Sequence, residues 1–267
     1  MNKKIILVAG DPNSINSEII FKTWQKLKNN IRKKIYLIGN YKLINEQFKK
    51  LNFKIKTVKV DNIKIISKNL KIIDIPIKFK NPFNVSFKDS AKYVIQSLNL
   101  AHKLSLDKKI KGLINCPVNK KLIKKRKILG VTEFLAQKNP TNNRSEVMML
   151  YNKKLSVVPL TTHIDLKNVS RKINKNLIES KIKTLDKYYK KIFNKKPKIA
   201  ILGLNPHNSE LAKESEEITK IIPSIVELKK NGINIHGPIV ADTMFIEDYK
   251  KFNVIVGMYH DQVLIPF

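Results

Sequence analysis

The sequence predicts an α/β protein built on parallel sheets, and three observations carry that prediction. Short apolar runs closed by Gly, Pro or Asn alternate with longer stretches of helical periodicity, the pattern of strands joined by crossover helices. Three of the 5 histidines stand directly after such runs, where a strand stops. The chain has 267 residues, 42% of them hydrophobic, enough for one large domain or two lobes.

Taken in order, residues 4–9 (KIILVA) read as a buried strand broken by Gly10-Asp11-Pro12, and residues 17–28 as a helix. The loop GDPNSINSE lacks the ending of a phosphate-binding P-loop and the spacing of a Rossmann fingerprint. Residues 34–39 form a second strand, 41–52 a short helix, and 53–80 edge strands that end at Asn81-Pro82. Ala91, Val94, Ile95, Leu98 and Ala101 recur at helical spacing over residues 86–103, and His102 on that helix reads as a surface or partly buried side chain. Residues 111–115 are the next strand, followed by Cys116-Pro117-Val118-Asn119-Lys120 and a helix entered at Gly130-Val131-Thr132. Residues 155–162 form a strand, 174–193 a lysine-rich helix, 199–204 a strand, 211–230 a helix, and 254–259 the last strand.

The formal net charge of +32 raises a nucleic-acid reading. Arginine, the usual residue for bidentate phosphate and base contacts, appears only at Arg32, Arg126, Arg144 and Arg171, so nearly all of the 53 basic residues are lysines. They are spread along the chain among many Ile and Asn, the mixture an AT-rich coding sequence produces. They read as a solvated surface, and nucleic acid is not expected as a partner. No apolar run is long enough to span a membrane, and the N-terminus lacks a signal-peptide pattern. The single cysteine, Cys116, cannot pair within the chain. A cytoplasmic location is the expectation.

His163, His207 and His260 follow the strands at 155–162, 199–204 and 254–259. In open α/β sheets the C-terminal strand ends are where ligands bind, and imidazoles there suit a divalent metal. The long spacing is not a local metal motif, and a strand-end histidine can equally be a hydrogen-bonded structural residue. Asp242 and Asp261 read as outer partners, further ligands or a base, or as plain loop caps.

The segments around these residues carry a resemblance. TTHIDLKNV, LGLNPHNSE, GPIVADTMF and VGMYHDQVLIPF resemble the 4-hydroxythreonine-4-phosphate dehydrogenase (PdxA) family of pyridoxal phosphate biosynthesis. NCPVNK is similar to that family's (T/S)-A-P-I-N-K, GVTEFLA to its G-H-T-E-F-L-A, and GDPNSINSE to its G-D-P-A-G-I-G-P-E. The matches lie in order from Gly10 to Phe267.

The resemblance implies an isocitrate/isopropylmalate dehydrogenase-like fold of two lobes around a cleft, expected at 1–115 (cofactor side) and 116–267 (metal, substrate and dimer side). It implies a homodimer with a shared active site, NAD or NADP, and a divalent metal (Zn, Mg or Co). His163, His207 and His260 become the metal ligands, the first two from one subunit and the third from the other. Asp242, Asp261 and Lys120 become catalytic candidates, with Thr132 and Val131 as substrate contacts. The implied reaction oxidises the C3 hydroxyl of 4-phosphooxy-threonine, and the 2-amino-3-oxo acid loses CO2 to give 3-amino-2-oxopropyl phosphate. Related oxidation of 4-phospho-erythronate or 4-phospho-threonate is the alternative, and a non-catalytic family member is a third reading.

Three departures from the family pattern stand out. Val131 replaces a His, and Ser14 and Asn16 replace Gly in the first loop. The family also continues for several tens of residues past the position of Phe267, through segments associated with substrate and cofactor. The 267-residue chain alone is therefore expected to be deficient in NAD binding and turnover.

Overall fold

The computed structural model describes residues 3–124, 130–138, 146–246 and 248–267. The chain divides into two compact units, Met1–Pro140 and Thr141–Phe267. The sequence reading divided it after Asn115. The division falls later because Leu122, Ile123 and Phe134 are buried in the core of the first unit.

The first unit runs β1 (Lys4–Val8), α1 (Asn16–Lys26), α2 (Asn29–Arg32), β2 (Ile35–Gly39), α3 (Tyr41–Lys50), β3 (Thr57–Val60), β4 (Leu70–Asp74), α4 (Phe87–Ser105), β5 (Ile110–Asn115) and α5 (Val131–Ala136). Its five strands are all parallel in the order β3-β4-β2-β1-β5. Central parallel strands are covered on both faces and so read as continuous apolar runs. Strand β2 (IYLIG) is buried at every residue, with Tyr36 and Ile38 facing one core and Leu37 the other. The side chain of Asn40 caps α3 by accepting from Leu43 N at 2.8 Å, and Ser86 caps α4 through Asp89 N at 3.1 Å.

The second unit runs β6 (Leu150–Tyr151), β7 (Ser156–Pro159), α6 (Val169–Lys172), α7 (Lys175–Phe193), β8 (Ile199–Leu202), α8 (Ile222–Lys230), β9 (Ile235–Ile239), α9 (Ala241–Met244), β10 (Val254–Gly257) and α10 (His260–Leu264). The strand order is β6-β7-β10-β8-β9, parallel except for the short antiparallel β6. Helix α7 starts at an Asn174 cap and stops at Asn194, which takes the left-handed conformation of a helix end (φ 53).

Four elements differ from the sequence reading: β4, expected at a sheet edge, lies between β3 and β2 and is buried on both faces, and the short β6 was not read as a strand. The helix expected over 211–230 begins only at Glu217, with a π-helical turn (Glu217–Ile221) that continues into α8. Residues before it are wound the other way: His207, Asn208, Ser209, Glu210 and Leu211 all have positive φ. Strand β9 was hidden by its Gly237-Pro238 pair, which a sheet tolerates because β9 is an edge strand. Among the described residues, no helix is long and apolar enough to cross a membrane.

Candidate functional site

Strand order decides which histidine loops can meet. β10 lies between β7 and β8, so the loops carrying His163, His260 and His207 leave three neighbouring parallel strands at the same edge. The sequence could place each histidine at a strand end but not the strands beside one another. Hydrogen bonds past the strand ends hold these loops. Thr161 donates to the Met258 carbonyl from its N–H (3.2 Å) and its hydroxyl (2.7 Å). Gln262 accepts from Met258 N at 2.7 Å and donates to Gly203 O at 2.8 Å.

His163 and His260 come together. Their ring centroids are 5.9 Å apart, at an interplanar angle of 40°. They line an open cavity of about 350 Å³ with Thr161, Tyr259 and Asp261, rimmed by apolar Leu166. His260 Nδ1 lies 2.7 Å from Asp261 Oδ1. A carboxylate on Nδ1 fixes that nitrogen as the N–H donor and leaves the Nε2 lone pair for a ligand. Asp261 thus sits where an orienting partner belongs. His163 has a positive φ (50°), uncommon for a residue other than Gly and found at functional sites.

His207 does not line that cavity. It is exposed at the start of the left-handed turn, whose first residues are pinned from below. Glu217, completely buried, accepts from Leu204 N (2.8 Å), Asn205 N (2.9 Å) and Asn205 Nδ2 (3.0 Å). Burial pushes its carboxyl up, but these bonds outweigh burial and hold it below the usual range. Glu216 is lowered first by the Ser170 hydroxyl, with Asn205 adding to the effect. A side chain at Gly203 would collide with Asn208 Oδ1, so only glycine fits there. Asp242 is exposed on α9, which lies against this turn, and its Oδ1 accepts from Thr243 N at 2.8 Å.

The donor chemistry of His163 and His260 fits a divalent metal, but the pair is not a full set. Among the described residues no group of three His, Cys, Asp or Glu side chains stands close enough to hold an ion. Within one chain His163 and His260 are in ring contact. Of the other histidines, His102 is half-buried on α4, and His236 Nε2 lies 2.8 Å from Asn234 Oδ1. Burial, then Lys198 and Lys229, hold the His236 imidazolium below its ordinary pKa.

The remaining candidates lie in the first unit. Lys120 is exposed just after β5, and Thr132 is exposed in the first turn of α5, whose N-cap is Gly130. Val131 is half-buried and packs against the core, which accounts for an apolar residue there. Asn16 is buried, and its amide donates to Ala9 O (2.9 Å), Pro117 O (2.8 Å) and Asp11 O (3.4 Å). It therefore ties the end of β1 to the loop after β5. A Cβ at Gly10 would lie 2.6 Å from both Asn16 Nδ2 and Pro117 O.

Sequence reasoning missed Glu217 and Gln262 as loop-fixing residues. Glu217 was hidden inside a run read as ordinary helix. Gln262 had one signal, a polar residue placed in the apolar run that follows His260-Asp261.

Residues 31–267 match the family described as "Pyridoxal phosphate biosynthetic protein PdxA". The chain is 38% identical over 274 residues to 4-hydroxythreonine-4-phosphate dehydrogenase of Aquifex aeolicus (strain VF5), covering 100% of this chain and 83% of that protein. It is 34% identical over 170 residues to D-threonate 4-phosphate dehydrogenase of Pectobacterium atrosepticum, covering 62% of this chain and 52% of that protein. Among solved structures, the 4-hydroxythreonine-4-phosphate dehydrogenase of Klebsiella pneumoniae superposes with a TM-score of 0.84 at 27% identity, covering 99% of this chain and 83% of that one. The fold is the isocitrate/isopropylmalate dehydrogenase-like α/β fold the sequence predicts.

Proposed function

The chain belongs to the PdxA family, and from that premise we propose that it oxidises the C3 hydroxyl of 4-phosphooxy-L-threonine with NAD and a divalent metal. Loss of CO2 then gives 3-amino-2-oxopropyl phosphate for pyridoxal phosphate synthesis. The observation that carries the reading is the facing pair His163 and His260, with Asp261 on the outer nitrogen of His260.

When bound, the ion supplies Lewis-acid polarisation of the substrate oxygen and NAD supplies the hydride acceptor. The chain's own residues do the rest. His163 and His260 hold two coordination positions through neutral imidazole nitrogens. Asp261 keeps His260 in the tautomer that presents Nε2 to the cavity. Asp242 serves as the base that takes the hydroxyl proton as hydride leaves C3. Thr132 offers a hydroxyl and Lys120 a cation to the phosphate dianion. His207 is assigned as the third ligand, with His163 and His207 supplied by one subunit and His260 by its partner across a two-fold interface, as the family resemblance implies.

Val131, in place of a family His, favours a second reading: oxidation of 4-phospho-threonate or 4-phospho-erythronate. The test is NADH formation by the purified chain carrying a family-like C-terminal extension, with each of the three substrates and added metal. Turnover of 4-phosphooxy-threonine above the other two supports the first reading. Preference for a phospho-hydroxy acid lacking the amino group supports the second. No NADH from any of them would exclude both.

A further inference from the structure

We propose that Gln262 is a positioning residue that locks the strand end carrying His207 to the strand end carrying His260. The β8–β10 ladder pairs Val254 with Ile199, Ile255 with Ala200 and Val256 with Ile201, and goes no further. On the other side of β10 the chain itself continues the pairing, since Leu160 N donates to Gly257 O at 2.8 Å and Thr161 takes the Met258 carbonyl. On the β8 side the next rung is made by a side chain. Gln262 turns back from α10, accepts from Met258 N and donates to Gly203 O.

A primary carboxamide carries an acceptor and a donor on one planar group, and both are used here. A carboxylate keeps the acceptor and loses the donor; a thioether loses both. The fit is close, because a Cβ at Gly257 would lie 2.9 Å from Gln262 Oε1. Gly203 is the residue from which the His207 loop departs, and Glu217 holds the next two N–H groups of that loop from the opposite side. The Gly203 carbonyl and these two N–H groups are the anchors from which the His207 loop starts. A shift of the Gly203 carbonyl passes through Asn205 and the rigid ring of Pro206 to His207.

The functional part of this inference rests on the reading that these histidines serve the reaction. The structural part does not, and the two are measured separately. In the wild-type chain the Met258 amide, buried and bonded, should exchange with solvent far more slowly than exposed loop amides; fast exchange would overturn the rung itself. Gln262→Glu keeps the Met258 bond and breaks the Gly203 bond. Its imidazole NMR spectrum should show His207 displaced with His163 and His260 unmoved, and kcat should fall about 10–100-fold with little change in KM, as for other partners that orient ligands. Gln262→Met, which removes both bonds, should displace His260 as well. Unmoved His207 signals and unchanged kcat in both variants, with only a lower melting temperature, would reduce Gln262 to a structural rung. An inactive wild-type chain whose His207 signal still moves in Gln262→Glu would count against the functional reading and not against the coupling.

Discussion

Both units end their parallel strands at an edge of the kind that binds ligands, yet the two edges are built in opposite ways. In the first unit the buried amides at this edge donate to the main chain, although Asn16 Oδ1 is buried with no hydrogen-bond partner among the described residues. Asn16 donates its amide N–H groups to three backbone carbonyls, Asn40 caps α3 and bonds Ile75 O, and the cavity beside Asn16 and Gln47 is only about 10 Å³. In the second unit the backbone past the strand ends is satisfied by Thr161, Gln262 and Glu217, and the imidazoles are left facing a cavity of about 350 Å³. The same α/β architecture gives a closed edge when its polar side chains bond the main chain, and a presenting edge when other residues take over that bonding. The candidate metal ligands His163, His207 and His260 and the candidate base Asp242 all lie in the second unit.

The largest expected effect breaks the presenting edge. His163→Ala or His260→Ala should lower turnover at least about 100-fold, beyond the loss typical of an outer partner, while melting changes little because both side chains are at least partly exposed. NADH formation and thermal melting check this together. Mixing His163→Ala with His260→Ala protomers sharpens it. If the partner's His260 completes each site, the heterodimer regains one intact site; if all three ligands come from one chain, it regains none.

The converse change acts on the closed edge. Asn16→Ala leaves buried carbonyls without their donor and should cost about 1–3 kcal/mol in urea unfolding, with kcat/KM changed by less than about threefold. A large loss of activity at unchanged stability would erase the contrast between the edges. Asp261→Asn keeps an acceptor for His260 Nδ1–H but removes the charge, and should weaken metal affinity about tenfold by calorimetric titration.

The smallest effect is a stability difference far from either edge. Lys71 is fully buried in β4, bonded to Arg32 O and Ser67 O. Burial, then the charge of Lys4, lowers its pKa to about 8. The unfolded chain keeps that proton up to the ordinary lysine range, so it binds more protons than the fold above about pH 8. The wild type should therefore gain stability relative to Lys71→Met as pH rises from about 8 towards 10.5, with the full cost present below that window. Denaturant unfolding of both proteins across the window checks the sign.

Much of this was legible in the sequence, for physical reasons. Continuous apolar runs such as IYLIG and VIVG could only be buried parallel strands, and the breakers after them placed His163, His207 and His260 at strand ends. The motif words carried the family. What sequence could not supply was the neighbour relation: that β10 inserts between β7 and β8, and so brings the three histidine-bearing loops to neighbouring strand ends. Nor could it show the left-handed turn at 207–211, since five such residues without glycine cost roughly 1–2 kcal/mol each and depend on tertiary partners such as buried Asn208, bonded to Pro238 O.

The most direct test of the central claim is titration of the metal-stripped chain with Zn²⁺ or Co²⁺, comparing wild type, Asn16→Ala and the double variant His163→Ala/His260→Ala. Tight binding by the first two and its loss in the double variant are expected. Undiminished binding by the double variant would contradict the placement of the reactive groups at the edge of β7 and β10.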